Sequence, residues 1–219
     1  MATGVKKINV ESKPEQYGLL KLDDDHLKMH PWDVFCQWFN QAISECEYEP
    51  NAMILSTVSK SRVPSSRVVL IKSVEEESLV FFTNYSSPKC IDLDSNNNCS
   101  GLFYWPQLER QVRLTGIVTK IPENKSSLYF NSRPEDSKIA ALTSHQSEPI
   151  KNRNDLETRF NTMKTKFKDK KIPAPNNWGG LSINVNHIEL WQGRKNRLHD
   201  RIAYKKHSNN TWHARRLQP

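Results

Sequence analysis

Three runs decide the fold: AMILSTVS at residues 52–59, SRVVLIKSV at 66–74 and LVFFTN at 79–84. Each is rich in β-branched or aromatic residues and is bounded by polar, turn-forming ones. They follow one another with no room for a helix between them. This predicts neighbouring strands joined by short turns, not the strand–helix alternation of a parallel sheet. Working outward, strands are expected at Cys99–Trp105, Gln111–Ile121, Leu181–Val185, His187–Gln192, Arg201–Lys206 and Trp212–Arg215. A helix is expected from Pro31, a good first helical residue, because Phe35, Trp38, Phe39, Ala42, Ile43 and Cys46 recur at three-four spacing. Others are expected over Ser86–Leu93, Glu123–Ser132, Pro134–Leu142 and Asn154–Lys170, the last with Leu156, Phe160, Met163 and Phe167 on one face. Strands outnumber helices. The class is mainly β, an antiparallel barrel or sandwich with peripheral helices. Residues 1–28 are polar and aperiodic and are expected to form a mobile arm, leaving 29–219 as one domain.

The chain has 219 residues, 36% hydrophobic and 26% charged, as befits a globular protein. No apolar run reaches the length of a membrane span. No apolar block follows the N-terminal lysines, so no secretory signal is expected. Cys36, Cys46, Cys90 and Cys99 form no C-x-x-C pair and no zinc-like spacing, so no metal is expected. They read as reduced thiols in a cytoplasmic protein. The net charge is +8, and in the last 26 residues eight Lys or Arg face one acid, Asp200. Such a balance suits nucleic acid, acidic membranes or small phosphorylated ligands. Only seven glycines are present, with no G-x-G-x-x-G and no Walker loop. A bound phosphate must therefore be held mostly by side chains.

Several clusters could do so. Thr83 and Asn84 precede Ser86, Ser87 and Lys89, offering hydroxyls and an amine at a strand end. Gln111, inside the cationic run Glu109-Arg110-Gln111-Val112-Arg113, can donate and accept, as reading a heteroaromatic edge requires. Tyr129, Arg133 and Ser137 have i, i+4, i+8 spacing and would share a helix face as a phosphate clamp, although Pro134 interrupts the register. Trp191, Arg197, His199 and Arg201 fall at alternate positions. If that run is extended, two guanidiniums and an imidazole project together. Each cluster alone is equally an ordinary solvated face or Ser-rich turn.

Taken together and in order, these segments resemble the pyridoxamine 5'-phosphate oxidase family. The densest matches are Phe82-Thr83-Asn84, Glu109-Arg110-Gln111-Val112, Tyr129-Phe130-Asn131-Ser132-Arg133-Pro134, Ser147, Trp178-Gly179-Gly180, Trp191-Gln192-Gly193 leading into Asn196-Arg197-Leu198-His199-Asp200-Arg201, and Arg216-Leu217-Gln218-Pro219. The resemblance runs from about Pro31 to Pro219. It implies a homodimeric FMN-binding split β-barrel with active sites at the subunit interface. The implied reaction oxidises pyridoxamine or pyridoxine 5'-phosphate to pyridoxal 5'-phosphate, with O2 reduced to hydrogen peroxide. It places FMN contacts on Arg67, Val68, Val69, Leu70, Ile71, Lys72, Phe82, Thr83, Lys89, Gln111, Gln146, Ser147, Trp191 and Arg201. It places substrate contacts on Lys72, Tyr129, Arg133, Ser137, Arg197 and His199, the last two as the catalytic pair, with Tyr17 covering the substrate.

Two positions depart from the family pattern. Pro88 stands where an Arg is usual, removing a charge and an N–H, so weaker FMN binding than in relatives is expected. Pro14 stands where an Arg is frequent in the arm near Tyr17. Three other readings compete. A split-barrel flavoprotein with another substrate would keep the FMN residues but need not keep Tyr129, Arg133, Ser137, Arg197 and His199. A non-catalytic flavin or pyridoxal phosphate carrier would show no turnover. A nucleic-acid binder would lose affinity steeply with salt, and it leaves Gln111 and the Tyr129 cluster unexplained.

Overall fold

The computed structural model describes residues 17, 18 and 20–219. Residues 52–84 fold as the three antiparallel strands that their composition predicts: β1 (Ala52–Val58), β2 (Pro64–Glu75) and β3 (Ser78–Asn84). They continue into β4 (Asn98–Trp105), β5 (Arg110–Lys120), β6 (Trp178–Gln192), β7 (Asp200–Lys206) and β8 (Trp212–Leu217). The order across the sheet is β3-β2-β1-β4-β5-β6-β7-β8, and a β3–β6 pairing closes the first six strands into a barrel. β7 and β8 run on past the seam. The architecture is an antiparallel split barrel.

Alternation builds the core. Along β5 every second residue is buried, and Val112, Leu114 and Val118 point inward with Met53, Leu55, Phe103, Ile188 and Leu190. Helix α1 (Pro31–Glu45) covers one barrel end with Trp32, Phe35, Trp38 and Ala42. Phe35 and Phe39 meet Phe103 at 5.8 and 5.7 Å between ring centroids. Ile43, expected on this face, is exposed; the buried stripe is shifted toward Trp32, away from it. Arg110 locks α1 to the barrel. Its guanidinium lies 4.2 Å over Trp38 and donates to Gln41 (2.6 Å) and Gln192 (2.9 Å).

The remaining helices are α2 (Pro88–Ser95), α3 (Glu123–Ser132), α4 (Glu135–Thr143) and α5 (Arg153–Lys166). Phe160, Met163 and Phe167 of the α5 region join Phe130, Ile139 and Ile172 in a second, smaller cluster. The two strands expected between 181 and 192 are one continuous strand. Its pairing with β5 slips between Thr115 and Gly116, leaving Asn186 as the bulged residue. A Cβ on Gly116 would lie 2.5 Å from the Asn184 carbonyl oxygen, so the close backbone approach needs glycine there.

Residues 194–201 do not form an extended run. β6 and β7 are antiparallel neighbours, with Gln192 opposite Asp200, so the chain must reverse between them. It does so through a 3-10 turn, Lys195–Arg197, with Asn196 and Arg197 at φ 60° and 61°. Arg197, His199 and Arg201 therefore do not line one strand face; only Arg201 lies in β7, opposite Trp191.

Within the stretch expected to be an arm, Leu22 is fully buried, and Tyr204 donates to the His26 carbonyl at 2.6 Å. Arg216 donates to the Leu22 carbonyl (3.0 Å) and to Asp24 (2.6 Å). Residues 1–16, Pro14 among them, lie outside the described residues.

Candidate active site

The expected site residues fall into two groups. The first gathers where β2, β3 and α2 meet. Ser87 stands just before α2 and Pro88 is the helix's first residue, a position where a missing N–H costs nothing. This turns Lys89 inward, where it is only 8% exposed. Its ammonium donates to Ser87 Oγ (2.8 Å), Thr83 Oγ1 (2.9 Å) and Gln146 Oε1 (3.0 Å). Arg67, on the inward side of β2, donates to Thr57 Oγ1 (2.7 Å) and Ser65 Oγ (2.6 Å). The Asp92 carboxylate accepts from Thr57 (2.7 Å) and Ser65 (3.3 Å). Burial pushes the Lys89 ammonium below its ordinary value; Cys90 opposes this and the like charge on Arg67 adds to it. Gln146 sits on an exposed loop, followed by Ser147 at φ 71°.

Beside this cluster three rings stack nearly parallel. Phe82 and Tyr129 are 3.8 Å apart at 17°, Phe82 and Trp178 are 5.5 Å apart at 15°, and Tyr129 and Trp178 are at 4°. Gly180 makes room for Phe82, since a Cβ there would lie 2.9 Å from that ring. Arg133 ends α3 and places its guanidinium carbon 4.9 Å over Trp178. Its Nη1 is buried with no hydrogen-bond partner, and burial lowers the pKa of this guanidinium. Among the described residues, none of Arg67, Lys89 and Arg133 forms a salt bridge. Three partly or wholly buried cations with no direct ion pair, Arg67 reaching Asp92 only through Thr57 and Ser65, make a site suited to anions. Ser137 lies in α4, beyond the break at Pro134, so no single helix carries Tyr129, Arg133 and Ser137. Lys72 is exposed at an irregularity in β2 between Ile71 and Ser73. Of its neighbours, Ile71 is buried and Val68 is 61% exposed, while Val69 and Leu70 are half-buried.

The second group sits at the other end of β6. Gln111, Trp191 and Arg201 are successive partners across β5, β6 and β7, with Tyr104 of β4 extending the row. Arg201 is not free: Glu189 accepts from its Nε (2.9 Å) and lies 2.8 Å from its Nη2. His199 packs on Trp191 (4.6 Å) and on Tyr17 (5.7 Å). Its Nδ1 accepts the Arg194 backbone N–H at 3.1 Å. Burial first, and then the Arg197 charge, lower the His199 pKa, against Asp200. Arg197 is exposed. Tyr17 is held by its neighbour, whose N–H reaches Glu109 Oε2 at 2.9 Å.

The two groups do not meet within one chain. Trp178 and Trp191 close opposite ends of β6; thirteen residues at about 3.3 Å each place roughly 40 Å of strand between them. The second group instead faces outward. It adjoins a cross-strand apolar row in which Ile54 pairs with Val68 and with Leu102. Tyr104 is 53% exposed beside it.

Sequence reasoning did not single out Thr57, Ser65, Asp92, Glu189 or Arg194 for the site. Ser65 and Arg67 share a strand face by alternation, and so do Glu189 and Trp191; that was the available signal. Thr57, Asp92 and Arg194 act through tertiary contacts or backbone geometry and had none.

A closed six-stranded antiparallel barrel, extended by two strands, defines a split-barrel protein. Residues 39–167 match the family model described as pyridoxamine 5'-phosphate oxidase, and residues 178–219 match that of the pyridoxine 5'-phosphate oxidase C-terminal dimerisation region. The chain belongs to the pyridoxamine 5'-phosphate oxidase family. It is 46% identical over 198 residues to a Leptospira biflexa protein named pyridoxine/pyridoxamine 5'-phosphate oxidase, covering 90% of this chain and 93% of that one. A protein of the same name from Nostoc punctiforme is 42% identical, with 94% and 96% covered. Among solved structures, PhzG from Burkholderia lata 383, in complex with tetrahydrophenazine-1-carboxylic acid, superposes with a TM-score of 0.86 at 24% identity, covering 94% of this chain and all of that one. A pyridoxamine 5'-phosphate oxidase-related, FMN-binding protein from Nostoc punctiforme gives 0.71 at 16% identity, with 87% and 99% covered. Both likenesses establish the split-barrel fold. No helix among the described residues is long and apolar enough to cross a membrane.

Proposed function

We propose that the protein is an FMN-dependent oxidase that converts pyridoxamine 5'-phosphate and pyridoxine 5'-phosphate to pyridoxal 5'-phosphate. For the amine, the substrate, O2 and water give the aldehyde, ammonia and hydrogen peroxide. The observation that carries this reading is the set of cations without carboxylate partners. Lys89 with Arg67, and Arg133 beside Tyr129, are two places suited to phosphate, and the reaction joins two phosphorylated molecules.

The residues present fit FMN. Arg67, Thr83, Lys89, Gln146 and Ser147 would hold its phosphate-bearing end, and Val68, Val69, Leu70, Ile71, Lys72 and Phe82 would complete its contacts. When bound, FMN supplies the two-electron chemistry that no side chain of the protein can. Tyr129, Arg133, Ser137 and Lys72 would take the substrate phosphate. Gln111, Trp191, Arg197, His199 and Arg201, with Tyr17 over them, would come from a second subunit. Their outward position beside the exposed Ile54, Val68 and Tyr104 supports a homodimer with two shared sites. Because Nδ1 of His199 accepts from Arg194, the neutral ring carries its hydrogen on Nε2. That atom is left to donate to the substrate while Arg197 orients the pyridine ring. Glu189 is shared between Arg201 and Arg113, which holds Arg201 in place and offsets part of its charge.

The visible absorption spectrum of the FMN-loaded protein tests this. Anaerobic pyridoxamine 5'-phosphate is expected to bleach the flavin band, and air to restore it. A bound flavin that stays oxidised would assign the fold a different substrate. A chain that cannot hold FMN would refute the cofactor reading.

A further inference from the structure

We propose that Trp178 is a positioning residue for the phosphate-binding guanidinium of Arg133. This rests on the functional reading above. Arg133 lies just past the last turn of α3, where a long side chain has several rotamers open to it. Here the guanidinium carbon is 4.9 Å over the Trp178 ring and 5.7 Å from the Phe130 ring, an aromatic corner that restricts its position. A guanidinium over an indole face makes no hydrogen bond to it, which leaves its N–H donors for a phosphate, bound in-plane and bidentately. The buried, unpartnered Nη1 is such a donor, held ready without a protein acceptor.

Trp178 is in turn held from three sides. Phe130 meets it edge-on at 5.1 Å and 71°, Phe82 stacks at 5.5 Å, and its backbone N–H donates to the Pro175 carbonyl at 3.1 Å. The two glycines that follow are required by this packing. A Cβ on Gly179 would lie 2.2 Å from the Tyr85 hydroxyl oxygen, and one on Gly180 2.9 Å from Phe82. The Trp178-Gly179-Gly180 turn thus places an indole face under Arg133 and lets Phe82 close against the same stack. A cation–π contact in a partly desolvated setting is worth enough to change occupancy of one orientation about tenfold.

The test compares Trp178→Leu, which removes the aromatic face, with Trp178→Phe, which keeps one. Binding of pyridoxal 5'-phosphate and of unphosphorylated pyridoxal to the FMN-loaded proteins is measured by calorimetry, alongside kcat, KM and FMN affinity. Trp178→Leu, measured at saturating FMN because Phe82 stacks on the same ring, is expected to weaken pyridoxal 5'-phosphate and raise KM about tenfold, with pyridoxal binding within about twofold. Trp178→Phe should recover most of the loss. Arg133→Lys, which cannot stack as a plane, should make Trp178→Leu nearly silent in a double-mutant cycle. Equal losses for phosphorylated and unphosphorylated ligand, no rescue by Phe, or additivity with Arg133→Lys would overturn the proposal while leaving the functional reading intact. Failure of the wild-type protein to bind pyridoxal 5'-phosphate would overturn both.

Discussion

Lys89→Met separates stability from cofactor binding at one position. Methionine keeps most of the length and apolar volume and removes the charge. All three ammonium donors of Lys89 are engaged, yet every acceptor is neutral, so the charge itself is uncompensated. Gln146, on an exposed loop, is the partner best able to give way to a phosphate. A charge-assisted hydrogen bond contributes about 1.5–3 kcal/mol, so FMN affinity should fall roughly 10- to 150-fold. The apo-protein should respond differently. Thr83 and Ser87 can reorient their hydroxyls, Ser87 already donates to the Asn84 carbonyl at 2.7 Å, and Gln146 can be hydrated. Losing an unpaired buried charge offsets what remains, so apo stability should change by no more than about 1 kcal/mol. The sign with pH follows. Burial holds the folded-state value below the ordinary 10.5. The folded state therefore releases its proton first; the stability present above 10.5 is lost as pH falls through the folded value. Wild-type apo-protein should gain stability relative to Lys89→Met as pH rises toward 10.5, and FMN should abolish that difference. Flavin-fluorescence titration of apo-protein and denaturant melts with and without FMN measure each quantity. An FMN affinity within threefold of wild type, or an apo-protein destabilised as much as the holo-protein, would refute the reasoning.

Other outcomes follow from other contacts. Mixing Lys89→Met chains with His199→Ala chains, after denaturation and refolding together, should restore about a quarter of wild-type activity, because half the dimers carry one intact shared site; no recovery would place each site within a single chain. Tyr104→Glu on the outward row should shift light-scattering mass toward the monomer and weaken FMN binding together. Arg110→Ala strands Gln41 and Gln192 acceptors and removes the guanidinium from Trp38, so it should cost about 3 kcal/mol and lower Tm by roughly 6–12 °C. Gly116→Ala forces a Cβ against the Asn184 carbonyl and should cost about 2 kcal/mol by overpacking. Below its depressed pKa, His199 gains a proton on Nδ1 and loses the Arg194 bond. KM should therefore rise on the acid side with an apparent pKa under 6.5, and His199→Gln should flatten that limb.

The strands were legible because residues 52–84 fall into three runs of β-branched and aromatic residues with turn formers between, too closely spaced for a helix. The cations and hydroxyls of the first group stood out in the sequence as types, since with seven glycines a bound phosphate would fall mostly to side chains. Periodicity misled at 194–201. The alternating Arg197, His199 and Arg201 look like a strand face, but the antiparallel β6–β7 connection forces a reversal that local pattern does not record. The bulge at Asn186 was invisible for the same reason: two apolar half-strands around one polar residue read as two strands.

The separation of the site into two groups was beyond any reading of one chain's pattern, and it explains the residues themselves. Tyr104, Gln111, Trp191 and Arg201 occupy the outward face of a barrel wall whose inward face, Phe103, Val112, Leu190 and Ile202, is core. Outward positions on a wet wall need not be aromatic, and one carrying tyrosine and tryptophan beside exposed Ile54 and Val68 is shaped for a partner surface. Glu189, shared with Arg113, pairs with Arg201 there, which lowers the cost of covering that guanidinium. The first group has no direct ion pair: Lys89 and Arg133 meet only neutral groups, and Arg67 reaches Asp92 only through Thr57 and Ser65. A carboxylate thus pairs directly with Arg201, which a second protein chain would cover, and with none of the three cations that a phosphate would meet.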